Sequence, residues 1–272
     1  MHVQRYRELC QKNQEENYFL DKYFFRKISI YFTILFIRLN IRANHATFLS
    51  LLAVLGSCYF LMSNSPINMA IAVLLIFLYH LLDHVDGELA RYYLAVGLQQ
   101  PSIQGKYFDV LIHKYSTNLM LFFIGISVYR FYGYEFAVIL GFAACIGMSA
   151  FPNLIASQVI VQRIAKDNNS VFEESVQEIL YLLEKKRDQI NKMQQAKAAV
   201  KARKLITEML FFPGALFLIM MVVTADIFHG GFLLFSYEVN VRLLFLLFIT
   251  PIYLANALRQ SRKWIRMFEK VD

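Results

Sequence analysis

The chain has 272 residues, 57% of them hydrophobic, and 28 Lys and Arg against 20 Asp and Glu, for a formal net charge of +8. Its mean hydropathy of +0.43 is too high for a soluble domain of this length, and continuous apolar runs of about 20 residues exclude the alternating pattern of a membrane barrel. One all-α integral membrane protein is expected, because a helix satisfies its own backbone hydrogen bonds in lipid.

In chain order, residues 1–17 are polar and lack the pattern of a cleavable signal sequence. The aromatic stretch 23–37 carries Arg26 and Lys27, with Arg38 just after it, and reads as an N-terminal interfacial amphipathic helix. Six transmembrane helices are then expected at 45–62, 68–84, 108–129, 135–160, 208–228 and 242–258. Pro152, Pro213 and Pro251 fall within them and are candidate kinks. The small residues Ala143, Gly147 and Ala150 offer a close helix contact, with a second subunit as one candidate partner. Between spans four and five, 162–206 places Phe172, Val176, Ile179, Leu180, Leu183, Ile190 and Met193 at helical spacing among Glu and Lys. It reads as a cytoplasmic helical insert entered through Asp167-Asn168-Asn169-Ser170. The domain plan is a cytoplasmic and interfacial segment at 1–44, a six-helix membrane domain at 45–258 with the insert, and a cytoplasmic basic tail at 259–272.

Eight Lys and Arg precede span one, ten lie in 161–206 and five follow span six, whereas 63–68 and 227–241 hold none. The positive-inside rule puts both termini, the Arg91 loop and the insert in the cytoplasm. That distribution, with attraction to anionic headgroups, accounts for the positive charge, and nucleic acid is not expected as a partner. Cys10, Cys58 and Cys145 lack metal-type spacing and read as packing residues.

Where span two meets the cytoplasm the chain reads Asp83-His84-Val85-Asp86-Gly87-Glu88-Leu89-Ala90-Arg91, then Gly105-Lys106-Tyr107-Phe108-Asp109. Charge at membrane depth is costly and is kept for chemistry. Carboxylates three or four apart share a helix face, and such a cluster suits a hard divalent cation. The pattern resembles the signature of the CDP-alcohol phosphotransferases, D-x-x-D-G-x-x-A-R followed by G-x-x-x-D-x-x-x-D. Asp83, Asp86, Gly87, Ala90, Arg91, Gly105 and Asp109 match in order. The spacer 92–104 is longer than in the usual pattern, and His113 stands where the fourth Asp is expected. Upstream, Ile41-Arg42-Ala43-Asn44-His45-Ala46-Thr47 is similar to the family's P-N-x-x-T, with Ala43 in place of Pro. Asn44 and Thr47 are candidates either for cytidine contact or for helix capping.

The resemblance implies transfer of a substituted phosphoryl group from a CDP-linked alcohol to a hydroxyl, with release of CMP. It implies Asp83, Asp86 and Asp109 as ligands of Mg2+, with Mn2+ as the alternative. Gly87, Ala90 and Gly105 would face the nucleotide, and Arg91 the nucleotide or diphosphate. Asp109 and His113 are the catalytic candidates. His113 lies four residues after Asp109 and thus on the same face; its reference pKa of about 6.5 suits a general base, although it is a poorer magnesium ligand than a carboxylate. His80 and His84 read as supporting or interfacial residues. CDP-diacylglycerol is the expected donor, a hydroxyl compound the acceptor, membrane lipid the surroundings, a homodimer the assembly and a bacterial inner membrane the location. Two alternatives stand beside this reading: a transferase passing the headgroup of a soluble CDP-alcohol to a lipid hydroxyl, and a catalytically degenerate CDP-lipid-binding protein.

Overall fold

The structure, a computed structural model, describes residues 3–11, 24–98, 103–149, 209–211, 214–229, 231–234 and 237–268. The expected insert at 162–206, Ala150, Pro152 and Pro213 lie outside the described residues. In chain order the elements are α1 (Val3–Cys10), α2 (Arg26–Arg38), α3 (Ala43–Leu61), α4 (Pro66–Ala95), α5 (Ile103–Tyr132), α6 (Glu135–Ser149), α7 (Gly214–His229), β1 (Phe232–Leu234), β2 (Tyr237–Val239) and α8 (Val241–Phe268).

A helix falls on each of the six expected spans, but they are not equivalent. Four are long and apolar enough to cross a membrane: α3, α4, and the stretches Phe108–Tyr132 of α5 and Val241–Arg262 of α8. The described parts of α6 and α7 have 15 and 16 residues, short of the roughly 20 that the hydrocarbon core requires. The all-α expectation is corrected at one place. Between α7 and α8 the chain forms an antiparallel pair, with Phe232 opposite Val239 and Leu234 opposite Tyr237. Six residues of strand are too short a stretch to carry a recognisable period.

Other boundaries shift for identifiable reasons. The 23–37 segment is helical as α2, and it stops where Asn40 takes a left-handed conformation (φ 55°). The Ile41 N–H then bonds back to the Phe36 carbonyl at 2.9 Å, the pattern of a Schellman stop with Asn in glycine's usual place. The polar N-terminal stretch contains α1, which no apolar run announces. α4 starts at Pro66, in the first turn where proline's missing N–H costs nothing. It continues eleven residues past the expected end at 84, to Ala95, and is closed by Gly97 (φ 72°), after which the Leu98 N–H bonds to the Tyr93 carbonyl at 2.9 Å. The motif therefore lies inside a continuous helix. α8 likewise runs through Pro251 and on into the basic tail.

The core joins Ile76 and Tyr79 of α4, Leu121 and Ile124 of α5, Leu216 and Ile219 of α7 and Leu246 and Ile249 of α8, all fully buried. α5 and α6 approach most closely at two glycines: a Cβ on Gly125 would stand 2.5 Å from the Ala137 carbonyl oxygen, and one on Gly141 would stand 2.9 Å from that of Leu121. Gly147 serves the chain itself, since a Cβ there would meet the Tyr253 backbone at 2.8 Å. Of the three small residues Ala143, Gly147 and Ala150, Gly147 thus makes its close contact with α8.

Arg242, in the first turn of α8, is fully buried. Its Nε lies 2.6 Å from Asp226 Oδ2 of α7, and its terminal nitrogens donate to Ser127 of α5 and Asn64 of the α3–α4 turn. Asp226 also accepts the Val241 N–H at 3.0 Å. A buried charge is tolerable only when paired and hydrogen-bonded in this way. The cluster ties four segments together at the far ends of α4 and α5 from the motif.

Candidate functional site

α4 and α5 supply the site. Asp83 and Asp86 are one helical turn apart on α4, and Asp109 and His113 are one turn apart on α5. The His113 Nε2 lies 2.6 Å from Asp83 Oδ1 and 2.8 Å from Asp109 Oδ1. One ligand atom from each of Asp83, Asp109 and His113 falls within 4.8 Å of the other two. Exposure is graded across the cluster, 14% for the Asp83 side chain, 22% for His113 and 37% for Asp109. The cluster opens toward solvent on the Asp109 side.

Two carboxylate oxygens and an imidazole nitrogen converging from two rigid helices fit a divalent cation that accepts mixed oxygen and nitrogen donors. Asp86 is not part of this convergence. It is buried, and its Oδ2 accepts the Thr47 hydroxyl at 2.8 Å. The same hydroxyl approaches the Ala43 carbonyl at 3.0 Å. Of the two upstream candidates, Thr47 reaches the acidic cluster through Asp86, and Asn44 is exposed.

The small-residue positions are arranged unevenly. Arg91 folds back along α4, so that a Cβ on Gly87 would lie 3.4 Å and 3.6 Å from the two terminal guanidinium nitrogens. Arg91 Nε donates to the Cys10 carbonyl at the end of α1. Ala90 is exposed, and Gly105 is half-buried in the first turn of α5. His80 and His84 face Phe25, at ring-centroid distances of 4.2 Å and 5.8 Å, which is a packing arrangement.

Two residues of the neighbourhood escaped the sequence reading. Glu88, at a variable motif position, is 2% exposed. Its carboxylate accepts Ser29 Oγ at 2.7 Å, Thr33 Oγ1 at 2.6 Å and Gln11 Nε2 at 2.8 Å. Gln11 also donates to the Arg26 carbonyl at 2.8 Å. Glu88 thus fastens α1 and α2 to the motif helix. Ser29 and Thr33, four apart within an aromatic stretch, were the available signal. Burial beside this carboxylate pushes the Cys10 thiol up to about 11, so it stays protonated and unreactive near neutral pH. Glu88→Ala is expected to strand three donors and to cost about 3 kcal/mol or more, read as a lowered unfolding temperature in detergent. An unchanged temperature would show that these bonds exchange freely with water.

The second is Tyr79, one turn before Asp83 and fully buried. Its hydroxyl lies 3.2 Å from His113 Nδ1 and 2.6 Å from Ser116 Oγ.

A sequence model described as CDP-alcohol phosphatidyltransferase matches residues 40–230. No curated protein matches the chain. The matched stretch includes every aspartate, glycine and histidine of the cluster just described.

Proposed function

The chain belongs to the CDP-alcohol phosphatidyltransferase family, and on that premise we propose that it moves a phosphatidyl group from CDP-diacylglycerol to a hydroxyl acceptor and releases CMP. Membership and the apolar helices make it an integral membrane transferase acting on a CDP-alcohol. The observation that carries the finer reading is the convergence of Asp83, Asp109 and His113 from two helices.

In this reading the acceptor oxygen attacks the phosphorus that bears the diacylglycerol, and the bond to CMP breaks. His113 Nε2 takes the proton from the attacking hydroxyl. Asp83 and Asp109 hold Mg2+ or Mn2+, with Asp86 a ligand once it turns from Thr47. A bound divalent cation neutralises diphosphate charge and polarises the phosphoryl oxygens. Arg91 lies over Gly87, which supports a shared place for the diphosphate and the near edge of the nucleotide. A planar guanidinium can grip two phosphate oxygens at once. Ala90 and Gly105 leave room for the nucleotide on either side. The site then faces the cytoplasm of a bacterial inner membrane, with α2 at the interface, a membrane domain at 45–258 and a homodimer as the assembly.

The test is CMP release by purified protein in lipid with CDP-diacylglycerol, Mg2+ or Mn2+ and pooled polar alcohols. Metal-dependent release is the expected result. Release only with a soluble CDP-alcohol and a diacylglycerol acceptor would reverse the roles of the two substrates. Cytidine-nucleotide binding without release from either donor would establish a degenerate binding protein, the reading that the His113 replacement favours.

A further inference from the structure

The polar segment that precedes the first apolar run ends on the motif helix. The Tyr6 ring of α1 lies 5.9 Å from that of Tyr92 on α4, and Cys10, the last residue of α1, is fully buried. The Cys10 carbonyl accepts the Nε–H of Arg91. The last carbonyls of a helix lack intrahelical partners and carry partial negative charge, so a guanidinium is a fitting donor there. The next residue fixes that carbonyl in place. Gln11 Nε2 donates to the Arg26 carbonyl at 2.8 Å and to Glu88 Oε1 at 2.8 Å, using both hydrogens of its amide. Arg26 opens α2, and Glu88 lies one turn before Arg91 on α4. Gln11 therefore locks the end of α1 against the two helices beside the arginine.

This hold selects one edge of the guanidinium. With Nε–H spent on Cys10, the two terminal nitrogens remain as a forked pair of donors. That pair is the edge lying over Gly87, 3.4 Å and 3.6 Å from where a Cβ would stand. We propose that Gln11 is a positioning residue: by fixing the end of α1 it holds Arg91 with its terminal nitrogens turned to the diphosphate of the CDP-alcohol. The proposal rests on the transferase reading for the place of the diphosphate at Arg91. α1 and Gln11 lie outside the stretch 40–230 that the family model matches, so family membership alone does not supply this support. A long side chain that is already held loses less freedom when it grips a phosphate, and the support is therefore felt as affinity.

The experiment is calorimetric binding of CDP, with Mn2+ present, to the full chain in lipid nanodiscs, a readout that needs no turnover. Gln11→Ala is expected to weaken CDP about three- to tenfold, and Arg91→Ala about 10- to 100-fold. In the Arg91→Ala background, Gln11→Ala is expected to change CDP affinity by less than about twofold, because its effect passes through the arginine. Ser29→Ala removes another donor from the same Glu88 carboxylate but leaves the end of α1 tied. It is expected to lower the unfolding temperature without changing CDP affinity. Glu88 keeps Ser29 and Thr33 as donors in Gln11→Ala, so that variant is expected to fold. Unchanged or tighter CDP binding in Gln11→Ala, or equal weakening with and without Arg91, overturns the positioning role and leaves the transferase reading intact. An Arg91→Ala protein that binds CDP as the wild type does removes the diphosphate from Arg91 and the proposal with it. CDP binding with the stated pattern but no CMP release overturns the transferase activity and leaves the positioning role standing.

Discussion

Asp109→Asn is expected to abolish metal-dependent CMP release, lowering kcat by about 10³-fold or more. The substitution keeps size and shape and removes one charge. Asp109 is the most solvent-open member of the cluster, 37% exposed against 14% for Asp83, so its loss disturbs packing least. It sits at i−4 from His113, with 2.8 Å between Oδ1 and Nε2. An amide in its place still reaches that nitrogen but no longer balances a divalent cation. The expected signature is therefore selective: turnover and calorimetric Mn2+ affinity fall together, while the unfolding temperature in detergent stays near that of the wild type. Asp83→Asn is expected to lose turnover equally but to unfold more readily, since Asp83 is enclosed between α4 and α5. Retention of turnover within tenfold in Asp109→Asn would remove this residue from the ligand set and leave the cluster with too few carboxylates for phosphoryl chemistry.

What could be read from the sequence and what could not divides along the range of the interactions. Among the described residues a helix falls on each of the six apolar runs, because length and hydropathy are local properties. A 3.6-residue period places Asp109 beside His113, whereas Asp83 meets them across the α4–α5 contact and Asp86, one turn from Asp83, turns to Thr47. Local signals also explain the errors. The α4 helix outlasts its apolar run because Asp86, Glu88 and Arg91 keep helical backbone while their side chains find partners. Those partners were invisible: the donors to Glu88 lie 55, 59 and 77 residues away in sequence. Thr47 reached Asp86 across 39 residues, so a helix-entry motif gave no sign of whether it capped or crossed. Nothing local to Arg242 shows Asp226 waiting on another helix. Tyr79 was hidden in a run of apolar residues, where a tyrosine reads as core; only the hydroxyl partners on α5 make it part of the site.

His113→Ala is expected to lower kcat by about 10²- to 10⁴-fold while cation binding persists on the two carboxylates. The separation of these two readouts decides what the histidine does. Nε2 lies within hydrogen-bond reach of both Asp83 and Asp109, a position from which it can either receive a proton or donate its lone pair to the cation. A base is lost without loss of the cation, so Mn2+ affinity in His113→Ala stays within a few-fold of the wild type. A ligand is lost with it, so affinity falls about 10- to 100-fold. His113→Asp separates the cases from the other side. It restores the acidic residue of the family pattern, and a carboxylate both binds Mg2+ more readily than imidazole and accepts a proton. Under the base assignment His113→Asp recovers part of the turnover that His113→Ala loses, and shifts the metal preference toward Mg2+. Full turnover in His113→Ala with cation bound would sink the base assignment, because no other proton-accepting side chain among the described residues joins Asp83 and Asp109 in the cluster. The hydroxyl proton would then pass to one of those carboxylates or to water. The histidine would be a replacement tolerated because Tyr79 and Ser116 fill its buried side with matched hydrogen bonds.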